Sequence, residues 1–312
     1  MTALRRALQL RSARISLGLL VLVLLVGIFG GWLAPQDPLA QNTAAILQGP
    51  GSGQWLGTDY LGRDVLSRLI DGTGRSVFGA LEAVGVAMLL GIPAGLASVV
   101  FGRVFEWVTL RFVDSLMTLP FIIFAVAVAG ILGNGPNQAM LTIGVLLSAL
   151  FYRITRAATL GLTSAQYVEM AELLGASKNW VIRVHVWNKV LPTIAVTTAN
   201  CLAAALLAVS SLTFLGIGVQ PPVSTWGGML ASDLNFLSQR PWAPVIPSLM
   251  IILTVAACNA LADAIRDTTG VSPTARTGIT GPAAGAGSAQ GIGPAQGIGP
   301  AQAGPAQGAS AR

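Results

Sequence analysis

The sequence predicts an all-α membrane protein of six transmembrane helices, with a two-helix cytoplasmic loop between the fourth and the fifth. Three observations predict it. Hydrophobic residues make up 53% of the 312 and charged residues only 10%, at a mean hydropathy of +0.70. A soluble domain carries about 25% charged residues, so too few charges remain here to coat a water-facing surface. The apolar residues fall into six runs near the ~20 residues that a bilayer crossing needs. Backbone groups cannot stay unpaired in lipid, so each run should be a helix.

The first run, 15–33, follows Arg5, Arg6, Arg11 and Arg14. A secretory signal also starts basic, but its apolar region is shorter and ends at a small-residue cleavage site. Trp32 suits a membrane interface, so this reads as a retained helix. The other runs lie at about 77–101, 107–132, 138–160, 192–217 and 243–264. A tight turn near Gly102-Arg103 separates the second and third, and Gly133-Asn134-Gly135-Pro136-Asn137 separates the third and fourth. Pro93 falls inside the second run, where a kink is expected. The resulting division is a cytoplasmic N-terminus (1–14), a first span (15–34), an extracytoplasmic segment (35–76), a five-helix core (77–268) with its loop at 161–191, and a tail (269–312). The tail is Gly, Pro, Ala and Gln with the repeat Gly-Ile-Gly-Pro-Ala-Gln at 291–296 and 297–302. It can bury no core and is expected to be a disordered cytoplasmic segment.

Charge orients the set. With the N-terminus in the cytoplasm, Arg5, Arg6, Arg11, Arg14, Arg103, Arg111, Arg153, Arg156, Lys178, Arg183, Lys189, Arg266, Arg276 and Arg312 fall on the inner side or at its helix ends. Only Arg63, Arg68, Arg75 and Arg240 fall outside. Cytoplasmic loops carry the excess of Lys and Arg, so both termini are expected inside. The net charge of +6 does not imply nucleic acid, because no basic stripe with interleaved aromatics accompanies it. His185 is the sole histidine, and Cys201 and Cys258 sit in apolar runs without metal-ligand spacing. No metal site is expected.

The loop from Gly161 to Leu191 is unlike an ordinary connector. Tyr167, Met170, Ala171 and Leu174 share one helical face. Gly175 suits a left-handed helix end, and Ser177 can cap a second helix in which Trp180, Val181, Val184 and Trp187 repeat the apolar face. Periodicity leaves two readings open: an amphipathic loop lying on lipid headgroups, or an element that docks another protein close to the small residues Gly175 and Ala176.

The residue string separates them. Tyr167-Val168-Glu169-Met170-Ala171, Gly175-Ala176-Ser177, His185 and Leu191-Pro192 resemble the EAA loop of ABC-importer permeases. The sequence departs from that pattern at Met170, where a small residue is usual, and at Asn188, where a proline usually follows the histidine. Leu56-Gly57-Thr58-Asp59 with Gly62-Arg63-Asp64-Val65-Leu66-Ser67-Arg68 looks like the segment before span two in dipeptide and oligopeptide permease C subunits. Asp114-Ser115-Leu116-Met117 with Leu119-Pro120, then Phe214-Leu215-Gly216 through Gln220-Pro221-Pro222 and Thr225-Trp226-Gly227, are similar to later segments of that family. So are Pro241-Trp242 and Asn259 through Asp263, Arg266 and Asp267. The likeness is collinear over about 15–268.

The resemblance implies a type I ABC importer transmembrane domain in a bacterial plasma membrane. It implies a second homologous permease beside it, two cytoplasmic ABC ATPases beneath, and an extracytoplasmic substrate-binding protein above. ATP and Mg would belong to the ATPases. This chain carries no Gly-rich Lys-Ser/Thr phosphate loop and is expected to be a non-catalytic subunit without a cofactor. Glu169, Met170, Ala171, Gly175, Ala176, Ser177, Arg183 and His185 would make the ATPase contact, with Lys189 beside them. Peptide is the expected cargo, with nickel complexes, glutathione and haem as alternatives within the family. A secondary transporter is the rival class, but it would leave the loop unexplained.

Other charges carry two readings each. Asp59, Arg63, Asp64 and Arg68 form either a contact for the binding protein or partner permease, or a folded cap held by its own ion pairs, with Asp64 and Arg68 as i,i+4 partners. Glu82 in span two either faces the translocation path near its outer mouth or is solvated near the helix start, and Asp114 at the start of span three either faces the path or is paired locally by Arg111 at i,i+3.

Overall fold

The computed structural model describes residues 10–51, 53–163, 166–181, 184 and 186–269, apart from the side chains of Thr163, Tyr167, Glu169, Glu172, Lys178, Asn179 and Thr269. The first nine residues, and the expected tail from residue 270 on, lie outside the described residues. Ten helices are described: α1 (Arg11–Leu33), α2 (Val65–Val100), α3 (Arg103–Thr118), α4 (Phe121–Leu132), α5 (Pro136–Thr163), α6 (Gln166–Leu173), α7 (Lys178–Val181), α8 (Trp187–Phe214), α9 (Trp226–Leu234) and α10 (Val245–Thr269). A 3-10 turn spans Thr43–Ala45, and among the described residues the only bridges are isolated.

Five of these helices, α1, α2, α5, α8 and α10, are long and apolar enough to cross a membrane. The sixth crossing is not one helix. α3 and α4 bend by 98° at Leu119–Pro120, where one continuous helix over 107–132 was expected. Pro120 has no N–H to donate and disfavours helical backbone at Leu119 before it, which sits at φ −77° and ψ 128°. α4 has 12 residues, about 18 Å at 1.5 Å each, and cannot cross a ~30 Å core alone. α2 differs from expectation in length. It starts at Val65 rather than near 77 and runs 36 residues, helical through Pro93. At about 54 Å it is longer than a bilayer crossing needs.

The core lies where α2, α5 and α8 meet, around Ala83, Ile143, Phe151, Ala205, Leu206 and Val209. α2 and α5 approach through small residues. A Cβ at Gly91 would stand 2.4 Å from the Ser148 carbonyl oxygen, and one at Gly144 would stand 2.8 Å from that of Ala83. Close backbone contact of this kind is what joins helices where the hydrophobic effect gives no preference for protein over lipid. α1 packs on α2 and α10 at the periphery, with Leu22, Leu25, Ile28 and Phe29 exposed.

The candidate coupling loop and the outer cap

The loop after α5 is built from helix-end chemistry. α6 stops because Gly175 adopts φ +91°, a left-handed conformation open to glycine at little cost. The N–H of Ala176 donates to the carbonyl of Ala171 at 3.0 Å, the Schellman closure of a helix end. Ser177 then starts α7: its carbonyl accepts from Val181 N at 3.0 Å, and its Oγ accepts a long bond from Trp180 N at 3.4 Å. α7 is described over Lys178–Val181, Val184 and Val186 are π-helical, and Trp187 opens the spanning helix α8; the rest of the expected second helix lies outside the described residues.

Burial divides the loop into two faces. Val168, Val181, Val186 and Val190 are buried in the main core, with Ala171 and Ala176 packed beside them. Met170, Leu173, Leu174 and Trp180 point outward at 63%, 77%, 89% and 49% exposure. Leu174 and Trp180 line a shallow concavity together with Ala171, Gly175, Ala176 and Ser177. A Cβ at Gly175 would meet nothing within 4 Å. Of the expected contact residues, Ala171, Gly175, Ala176 and Ser177 therefore share one concavity, and Met170 is exposed. The side chain of Glu169, and Arg183 and His185 entirely, lie outside the described residues.

At the opposite end, residues 35–64 fold back over the start of α2. Gly62, at φ +74°, lies so close to the 42–48 strap that a Cβ would be 1.9 Å from the Asn42 carbonyl oxygen. Asp59 accepts from Leu61 N and Arg63 N through Oδ1, each at 2.9 Å, and pairs with Arg63 through Oδ2 at 2.7 Å. Arg68 pairs with Asp59 at 3.4 Å, not with Asp64 as its i,i+4 spacing suggests. Asp64 instead caps α2, accepting from Ser67 N at 2.8 Å and Ser67 Oγ at 2.6 Å. All four side chains are buried. Arg68 also reaches the carbonyls of Pro38 and Pro222, and Arg240 those of Leu56 and Thr58.

Arg240 and Asp233 complete this cap, and sequence reasoning missed both as members. They lie more than 150 residues from Asp59, and no local spacing announces the meeting. Asp233 is buried; burial, with the nearby Asp59 charge, pushes its carboxyl up to about 6 against the opposing pull of Arg240 and the cap arginines. The Thr225-Trp226-Gly227 string acquires a physical reason here. Thr225 caps α9 by accepting from Gly228 N, and the indole of the fully buried Trp226 donates to the Leu69 carbonyl. A Cβ at Gly227 would clash with the Ser210 carbonyl at 2.1 Å.

The two path candidates have different surroundings. Asp114 pairs with Arg153 across α3 and α5, not with Arg111, and Glu106 pairs likewise with Arg156. Glu82 is exposed on α2, and among the described residues no hydrogen bond or ion pair joins it to Asp114. No cluster of three or more His, Cys, Asp or Glu that could hold a metal ion occurs among the described residues.

The structure is thus a bundle of crossing helices with an exposed two-helix turn after α5 and a folded segment before α2. Residues 87–268 match the family described as binding-protein-dependent transport system inner membrane component, and residues 2–50 match the N-terminal TM domain of oligopeptide transport permease C. The chain belongs to the binding-protein-dependent permease family: it is a membrane subunit of an ABC importer and not itself the enzyme of the complex. It is 33% identical to the probable D,D-dipeptide transport system permease protein DdpC of Escherichia coli, over 80% of this chain and 84% of that one. It is 35% identical to the di/tripeptide transport system permease protein DppC of Pseudomonas aeruginosa, over 80% and 85%. It is 33% identical to the glutathione transport system permease protein GsiD of Pectobacterium atrosepticum, over 81% and 85%. Its fold is similar to a chain of the inward-facing MetNI methionine ABC transporter at a TM-score of 0.54 and 15% identity, covering 66% of this chain and 97% of that chain.

Proposed function

We propose that this subunit carries di- or oligopeptides across a bacterial inner membrane, and that its 161–191 loop is the point where ATP hydrolysis in the partners is coupled to movement. The observation that carries the coupling reading is the two-faced loop. One face is anchored in the core through Val168, Val181 and Val186, and the other offers Met170, Leu173, Leu174 and Trp180 around an open Gly175. An apolar face on a rigid anchor transmits a push, whereas a loose headgroup-bound loop would absorb it.

The full assembly in this reading holds a second permease, two ABC ATPase subunits and an extracytoplasmic binding protein. Both termini lie in the cytoplasm, as the basic residues require. ATP and Mg are held by the ATPases. Glu82 and Asp114 are assigned to the path, and the cap of Asp59, Arg63, Asp64 and Arg68 shapes the surface that meets the binding protein. Peptide cargo rests on the relatives named for dipeptide and tripeptide transport. Glutathione is the second reading, from the relative named for it.

The test is uptake in cells that lack this gene, restored with wild type or with Gly175→Arg. Wild type should restore accumulation of a labelled dipeptide, and Gly175→Arg should not, at equal membrane abundance. Uptake of nickel, haem or glutathione without dipeptide would replace the cargo assignment. Full uptake by Gly175→Arg would remove the coupling assignment.

A further inference from the structure

Two apolar cavities lie along the seam of α1, α2, α8 and α10, and they share Leu20, Leu202 and Cys258. The larger holds about 410 Å³ and the smaller about 150 Å³. Together they form one groove. On α8 it runs from Leu191 to Leu206, about 22 Å at 1.5 Å per residue. Thr254 and Val77 border one end, and Ile265 and Met88 the other. The groove therefore lies parallel to the spans and is longer than the ~15 Å of one leaflet's hydrocarbon.

Its lining offers nothing to a polar ligand. The hydroxyls that border it are already used by their own helix: Thr198 Oγ1 donates to the Ile194 carbonyl, and Thr254 Oγ1 to that of Met250, each at 2.8 Å. At the end near Thr254 and Val77 the charges of α2 are paired, Arg75 with Asp71 and Arg68 with Asp59, whereas the other end is basic. Arg11 and Arg14 open α1, Lys189 opens α8, and Arg266 closes α10, where Asp263 pairs with it at 3.1 Å and Asp267 follows. Among the described residues, Arg11 and Arg14 stand exposed at this end beside the Arg266–Asp263 pair.

We propose that the seam is a phospholipid site: one acyl chain of an anionic inner-leaflet lipid fills the groove, and its headgroup lies over the basic helix ends. A methylene chain matches the length, the narrowness and the absence of available donors. A basic mouth between spans on the cytoplasmic side is the setting in which anionic headgroups are recognised. The assignment to the inner leaflet rests on the orientation proposed above. The bound chain would wedge α1 against the core and so tie the peripheral helix to α8, whose start leads out of the coupling loop.

The test uses the intact complex as purified, with native mass spectrometry during stepwise delipidation. Phosphatidylglycerol and phosphatidylcholine of the same acyl chains are the probes. Ala195 borders the groove and is exposed, so Ala195→Trp fills the groove without entering the core. Wild type should retain one phosphatidylglycerol per complex that Ala195→Trp lacks, with partner subunits present in both. Arg14→Gln should weaken that retention roughly fivefold while leaving the chain groove intact. Equal retention of the two lipids by wild type, or an unchanged count in Ala195→Trp, overturns the proposal. In parallel, Ser12→Cys is labelled with a membrane-impermeant maleimide. Labelling only from inside supports the inner-leaflet assignment. Labelling from outside overturns it through the orientation, an outcome separate from the lipid count.

Discussion

Gly175 and Gly62 both take positive φ, but for reasons that mutation separates. Around Gly175 there is open space, so Gly175→Ala should cost only the left-handed strain, roughly 1 kcal/mol. ATPase binding should persist in that variant and fail in Gly175→Arg, whose side chain fills the docking surface; comparing the thermal stability of the two checks this. At Gly62 the Asn42 carbonyl blocks any Cβ, so Gly62→Ala should lose more than about 2 kcal/mol and open the outer cap. Protease sensitivity of the 35–64 segment in intact right-side-out vesicles reads this. Asp233 supplies the pH dependence. Its carboxyl is pushed up to about 6 from 3.8, so the folded chain binds that proton more tightly than the unfolded chain does. Stability contributed by the cap then falls as pH rises from about 4 to about 6 and stays lower above. Asp233→Asn should remove that fall, raising stability at pH 7.5 by on the order of 2–3 kcal/mol and little at pH 4. Melting temperatures at the two pH values decide it. Single residues were legible where chemistry is local, as at Gly175 and Ser177. They were illegible where the partner is distant: Asp64 with Arg68 and Arg111 with Asp114 satisfied helical spacing, yet each acid found another use.

At the scale of elements, apolar runs located the crossings because lipid leaves a helix no alternative. They missed two things. The first turns of α2 carry Arg68, Asp71 and Arg75 and so do not read as part of a span, although the helix is continuous from Val65. The break at Leu119–Pro120 was legible as a proline but not as a bend of 98°, since hydropathy is continuous across it. α3 is tied to α5 by Asp114–Arg153 and Glu106–Arg156, so the bend is fixed from one side. Pro120→Ala should allow helix to propagate through 119–120. Spin labels on α3 and α4 should then move apart, with the bent distance distribution shrinking. An unchanged distribution would place the cause of the bend in the ion pairs instead.

For the whole molecule, the sequence's order of spans, loop and cap anticipated a permease, and the family match and the fold agree with it. What no single chain encodes is the surface it shares with others. Met170, Leu173, Leu174 and Trp180 are exposed here, and the proposed ATPase contact would cover them. The most direct measurement is purification of the tagged chain in mild detergent, wild type beside Gly175→Arg. The account predicts that a second permease accompanies both forms, while ABC ATPase subunits accompany wild type alone. ATPase subunits retained in equal amount by Gly175→Arg, or absent from a folded, transport-competent wild type, would contradict it.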